Sequence, residues 1–162
     1  TRGDWKAPFR DSQVRAFIAV MTTLIIVVTL YLWLNSEMTN SRALRLSAFN
    51  VVSIVTGTGY ATADYNSWGP FAVSAFFAFM FIGGCAGSTA CSIKIFRYQV
   101  AFEGLRAYLF KMPRQHAIAP LRYGGKPLPE TVLFSVMSYF FLFFMTFICV
   151  AFTTSLLFLG LL

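Results

Sequence analysis

Acidic and histidine side chains are scarce in this sequence, which holds six Asp and Glu and one His in 162 residues. His116 stands in a proline-rich, basic connection with no carboxylate or cysteine near it in sequence. No nucleophile–base pair or acid–base constellation can be assembled, so an enzyme is disfavoured. Cysteine is equally sparse: Cys85, Cys91 and Cys149 are odd in number, lack metal-ligand spacing and fall in apolar or glycine-rich runs, which reads as structural thiols. Charged residues make up 12% of the chain, against 57% hydrophobic and 18% aromatic residues and a mean hydropathy of +0.67. That balance excludes an ordinary soluble domain and indicates a membrane protein. The net charge of +7 does not indicate nucleic acid, because the basic residues flank apolar runs rather than forming an aromatic-studded face.

Where charge is absent, the runs are long. Residues 1–15 form a polar, basic lead, and Ala16 opens an unbroken apolar stretch to Leu34. At about 1.5 Å per residue such a run suits a bilayer core of about 30 Å and predicts a transmembrane helix over 16–34. No small-residue cleavage site follows it, so it does not read as a signal peptide, and the start at Thr1 reads as a fragment. A polar turn with Thr39, Asn40 and Ser41 as candidate N-caps precedes a helix over 41–55 that is too short to cross. Residues 56–64 return from it, and Trp68-Gly69-Pro70 opens a second span over 69–111. Its first half is Phe71–Ile82; a glycine-rich stretch over 83–92 then interrupts it, since each glycine weakens a helix by about 1 kcal/mol relative to alanine. Residues 112–129 hold four prolines and form a cytoplasmic connection with a candidate hairpin about Gly124-Gly125. A last helix over 130–162, charge-free from Val132 onward, is longer than one crossing needs.

Val52–Asp64 organises the rest. Small hydroxyl residues alternate there with glycines, so the backbone can turn its carbonyls towards one axis with no side chain in the way. A short helix followed by a glycine-rich return is the sequence form of a re-entrant pore loop, and the negative end of the helix dipole would favour a dehydrating cation. The carbonyls of Thr56, Gly57, Thr58, Gly59 and Tyr60 are the candidate ion ligands; an ordinary extracellular loop is the alternative. Four of the 13 Lys and Arg precede the first span, seven follow the apolar first half of the second, and only Arg42 and Arg45 lie between. The excess of positive charge places the N-terminal lead and the Lys111 region in the cytoplasm and the filter mouth outside.

Gly57-Thr58-Gly59-Tyr60-Ala61 resembles a relaxed potassium-channel filter pattern, Thr-Val-Gly-Tyr-Gly, with Gly59 at its central glycine. With Ser47-Ala48-Phe49-Asn50-Val51 ahead of it and the run Phe81–Lys94 behind, the chain resembles the TrkH-type bacterial potassium-uptake proteins, whose relatives include the Ktr and plant HKT transporters. The resemblance implies an all-α membrane protein in which four divergent helix–pore loop–helix repeats of one polypeptide surround one pore. This chain then covers the third repeat, with its broken second helix, and the first helix of the fourth. K+ is the implied transported ion. Gly83, Gly84, Cys85, Ala86, Gly87, Ser88 and Thr89 match the family's intramembrane gating loop, although close helix packing is an alternative use for such small residues. Relatives continue with Ala-Gly-Gly-Ile-Lys where this chain has Ala90-Cys91-Ser92-Ile93-Lys94, which bears on how freely that end moves. Lys94 is a candidate pore or partner contact, or a lysine snorkelling to the inner interface.

The resemblance also implies a multi-pass protein of the bacterial inner membrane that pairs as a homodimer. Its cytoplasmic partner is a ring of nucleotide-binding regulatory subunits of the TrkA type, and membrane lipid and the other pore repeats complete its surroundings. Because Ala61 and Gly57 depart from the strict filter pattern, selectivity for K+ over Na+ is expected to be weaker than in a symmetric channel. A homotetrameric cation channel subunit and a non-conducting membrane assembly module remain as rival readings.

Overall fold

The computed structural model describes residues 11–36, 38–90, 92–112, 122–123 and 126–160. Two compact units divide the chain between Tyr98 and Gln99.

Helix α1, Ser12–Asn35, opens the first unit. It begins four residues ahead of the apolar run because Asp11 caps it, its carboxylate accepting from the Gln13 N–H at 2.9 Å. Its threonines hide their polarity by returning hydroxyl protons to the preceding turn: Thr22 to Ile18 O at 2.8 Å, Thr23 to Ala19 O at 2.9 Å and Thr29 to Ile25 O at 2.7 Å. Helix α2, Asn40–Thr56, is 17 residues long and packs against α1. Thr39 precedes it without a side-chain cap, and its first turn is held by Thr39 O, which accepts from Arg42 N and Ala43 N. Small residues lie on its buried face, so the two backbones approach closely. Ala43 and Ser47 are fully buried, and Ser47 Oγ meets Thr29 Oγ1 at 2.5 Å.

After α2 the chain returns through a 3-10 turn, Tyr65–Trp68, whose first N–H groups are served by Asp64: its carboxylate accepts from Asn66 N at 3.0 Å. Pro70 then stands in the first turn of α3, Pro70–Phe79, where a missing N–H costs nothing. Phe76 is 2% exposed and centres the core, with ring centroids 5.0 Å from Tyr65, 5.9 Å from Trp68 and 5.7 Å from Phe79. Tyr31 of α1 fastens this corner, its ring 4.6 Å from Phe71 and its hydroxyl donating to Trp68 O at 3.1 Å. Helix α3 stops at Phe79, three residues short of the Ile82 expected from the apolar pattern.

Helix resumes as α4, Ile95–Lys111, which reaches into the second unit. There β1, Arg122–Tyr123, pairs antiparallel with β2, Lys126–Pro127, which flank the expected turn; Gly124, Gly125 and His116 lie outside the described residues. Tyr123 OH donates to Gln99 Oε1 at 2.9 Å, fixing this strand pair to α4. Helix α5, Glu130–Gly160, has 31 residues. Helix α1 and residues Thr131–Gly160 of α5 are long and apolar enough to cross a membrane.

Truncating Phe76 removes the ring around which Tyr65, Trp68 and Phe79 gather. Phe76→Ala is expected to cost about 3 kcal/mol, and Phe76→Leu less than half of that. Thermal unfolding of the detergent-solubilised full-length protein checks the order; equal midpoints for both variants would remove Phe76 from the centre of the core.

Candidate functional site

The stretch after α2 leaves the helix through glycine. Gly57 closes the helix with φ 76°, and Thr58 N and Gly59 N both turn back to Ser53 O at 2.9 and 3.2 Å. Gly59 again has φ 78°, while no non-glycine residue among those described has a positive φ. The sign of φ therefore alternates along Gly57-Thr58-Gly59-Tyr60. In an extended chain successive carbonyls point to opposite sides; a left-handed residue at every second position offsets that alternation and lets neighbours face one side. A Cβ on Gly59 would meet nothing within 4 Å, so the backbone angle alone reserves this position for glycine. Thr56 Oγ1 donates to Val52 O at 2.7 Å and lies 2.8 Å from Thr58 Oγ1, which keeps both hydroxyls engaged beside the segment. Thr56 through Tyr60 are all exposed, and Tyr60 is 73% exposed.

Asn50 holds the far end. It is 1% exposed, and its amide nitrogen donates to Leu46 O at 2.8 Å and to Thr62 Oγ1 at 3.2 Å, while its oxygen accepts from Thr62 N at 3.2 Å. One side chain thus satisfies both the backbone and the hydroxyl of the returning strand, 12 positions away. Sequence reading placed Asn50 only in the lead-in to the glycine segment. The usable signal was a carboxamide within a mostly apolar helix turn, since a buried amide demands partners. Ser53 has 5% exposure, and its hydroxyl has no hydrogen-bond partner even as its carbonyl takes two N–H groups.

The second irregular element runs between Phe79 and Ile95, wider than the 83–92 expected. Its base is tied strand to strand: Ile82 and Ile93 form a parallel bridge, Gly83 N donates to Ile93 O at 2.9 Å, Ile93 N to Phe81 O at 3.2 Å and Ile95 N to Gly84 O at 3.2 Å. Side chains add Ser92 Oγ on Met80 O at 2.5 Å and Tyr98 OH on Phe81 O at 3.0 Å. A Cβ on Gly83 would stand 2.8 Å from Ser92 O, so glycine here serves close backbone approach rather than a special angle. Gly83 and Gly84 are buried, Cys85 is half-buried, and Ala86, Gly87, Ser88 and Thr89 form the exposed apex. Within the apex Ser88 N closes a turn on Cys85 O at 3.1 Å. Lys94 Nζ reaches back over it and donates to Ser88 O at 3.0 Å. Its contact is therefore with the loop that precedes it.

Among the described residues no three His, Cys, Asp or Glu side chains gather to hold a metal ion. At Thr56–Tyr60 the oxygen atoms that could meet a cation are backbone carbonyls and hydroxyls.

The cation transport protein family TrkH matches residues 9–157. The potassium uptake protein TrkI of the Trk system in Halomonas elongata is 40% identical over 96% of this chain and 32% of its own length. The corresponding TrkH of Escherichia coli is 31% identical over 88% of the chain and 30% of its own length. The crystal structure of the potassium transporter TrkH from Vibrio parahaemolyticus superposes with a TM-score of 0.82 at 30% identity, covering 88% of this chain and 31% of that one. The chain thus spans about a third of the length of the relatives it matches. With a family match over nearly its whole length, the chain belongs to the TrkH family of cation transport proteins.

Proposed function

We propose that this chain supplies one of four pore-lining quarters of a K+ uptake protein, together with the first helix of the next quarter. In this reading α1, α2 and the broken α3–α4 are the span, pore helix and inner helix, and backbone carbonyls of Thr56, Gly57, Thr58, Gly59 and Tyr60 coordinate dehydrated K+. The observation that carries it is the exposed backbone of alternating φ sign at the C-terminal end of α2. Exposure fits a shared site, because one quarter cannot enclose an ion and the remaining ligands come from the other repeats. The names of the relatives, potassium uptake proteins, support K+ as the ion.

The loop from Gly83 to Thr89 lies beneath the filter and gates the path. Its place between the two halves of the broken inner helix supports this. The full protein sits in the bacterial inner membrane as a homodimer, with the N-terminal lead and the Lys111 end in the cytoplasm. A TrkA-type nucleotide-binding subunit docks on that side, where the Lys and Arg excess lies.

Three measurements of 86Rb+ uptake into proteoliposomes holding the full-length protein follow from this assignment. Gly59→Ser forces an L-residue into the left-handed region at about 1–2 kcal/mol; K+ over Na+ selectivity is expected to fall about fivefold or more. Unchanged selectivity would move the conducting path elsewhere. Removal of Ala86–Thr89 leaves the base bonds in place and is expected to raise flux, whereas native flux would deny the loop its gating role. Asn50→Leu frees the Thr62 end while filling the same space, so selectivity should drop although the protein still inserts; full selectivity would show that the return strand is held by something else.

A further inference from the structure

The loop between α3 and α4 is not uniformly fastened. Four backbone or side-chain hydrogen bonds cross its base from residues 92–98 to Met80, Phe81 and Gly84, besides the Gly83–Ile93 bond. At the apex, besides the Cys85–Ser88 turn, side chains reach in from both ends: Lys94, from the loop's own C-terminal end, and Gln13, from the first turn of α1. Gln13 Oε1 accepts the Ala86 N–H at 3.0 Å, across 73 positions of sequence. Among the described residues the Ala86 amide takes no backbone partner. Gln13 itself is anchored, because the Asp11 carboxylate that caps α1 accepts from the Gln13 backbone N–H.

We propose that Gln13 is a positioning residue for the gate: its carboxamide latches the apex through the Ala86 N–H, and the loop opens as a flap whose base stays closed. This rests on the reading of the loop as the gate. The bond from the Ala86 N–H to a side chain of a separate helix, beyond a base closed by its own hydrogen bonds, carries it. Opening by unravelling must break every base bond together, whereas swinging the apex outward breaks the Gln13 contact and leaves the base intact. Lys94 moves with the loop from its own base, whereas Gln13 ties the apex to a different helix. Ser92 strengthens the base, since its hydroxyl makes a bond to Met80 O that glycine cannot make.

Cys85, half-buried beside Ala86, reports on the apex without reference to ion flux. The test uses the full-length protein in proteoliposomes with Gln13→Leu, which keeps bulk and loses the acceptor, and Gln13→Glu, which keeps an acceptor oxygen. Maleimide labelling of Cys85, read by peptide mass spectrometry, and 86Rb+ uptake are measured on each. Loss of one such hydrogen bond corresponds to a shift of roughly threefold to tenfold in the open-to-closed ratio. Gln13→Leu is therefore expected to raise both labelling and flux by about that factor at unchanged K+ over Na+ selectivity, with Gln13→Glu near native. Native labelling and flux in Gln13→Leu overturn the latch while the Ala86–Thr89 deletion still raises flux, leaving the gate reading intact. Faster labelling with native flux also overturns it, since the apex would move without controlling conduction. A deletion without effect on flux removes the gate and the latch together.

Discussion

Backbone N–H and C=O groups that leave a helix inside a bilayer must find partners within the protein, and the rest of this structure follows from that constraint. Two segments of the first unit, after α2 and after α3, abandon helix geometry. Each is held in part by bonds from residues distant in sequence. The return after α2 is held at Ser53 O and at the Asn50 carboxamide, and the loop after α3 by its bridge to Ile93. Residues Thr56 to Tyr60 are exposed, and at Gly57 and Gly59 that exposure is of bare backbone, which lipid tails cannot satisfy.

Glycine makes both departures feasible, by different physics. At Gly59 there is room for a side chain and the backbone angle forbids it; at Gly83 the obstacle is the Ser92 carbonyl at 2.8 Å from where a Cβ would lie. The first kind of glycine sets the direction of neighbouring carbonyls. The second kind lets two backbones approach closely, and it belongs to a rigid junction rather than a flexible one. A run of glycines in a broken helix is therefore not in itself a measure of mobility. In this loop the buried pair Gly83-Gly84 lies at the fastened end, and the exposed apex beyond it is held by side chains.

The architecture was largely legible because its signals are local. Long charge-free runs announced α1 and α5, the glycine cluster announced the interruption, and Trp68-Gly69-Pro70 announced α3. Boundaries slipped where a distant partner decided them. Helix α3 yields at Phe79 because Phe81 O is taken by Ile93 N and Tyr98 OH, which no pattern within Phe71–Ile82 reveals. The early start of α1 was closer to hand, since Asp11 is a readable cap, but the apolar run itself begins only at Ala16. Asn50 and Gln13 were opaque for the same reason as Phe79: their partners lie 12 and 73 positions away, and only the fold brings them together.

Among the exposed surfaces of the described residues, two differ sharply in chemistry. Along α5, Phe141, Phe152 and Leu159 are 64%, 64% and 73% exposed, and apolar residues occur all round the helix. A helix of that kind is stable only in an apolar surrounding, which lipid tails and neighbouring helices supply equally well. At the end of α2 the exposed glycines Gly57 and Gly59 present bare backbone beside the Tyr60 ring, and for that backbone lipid is the wrong neighbour and an ion, water or polar group is the right one. A non-conducting assembly module would account for the first surface and leave the second without a partner. The polar surface, rather than the apolar one, is what separates a pore-forming reading from a merely membrane-embedded one.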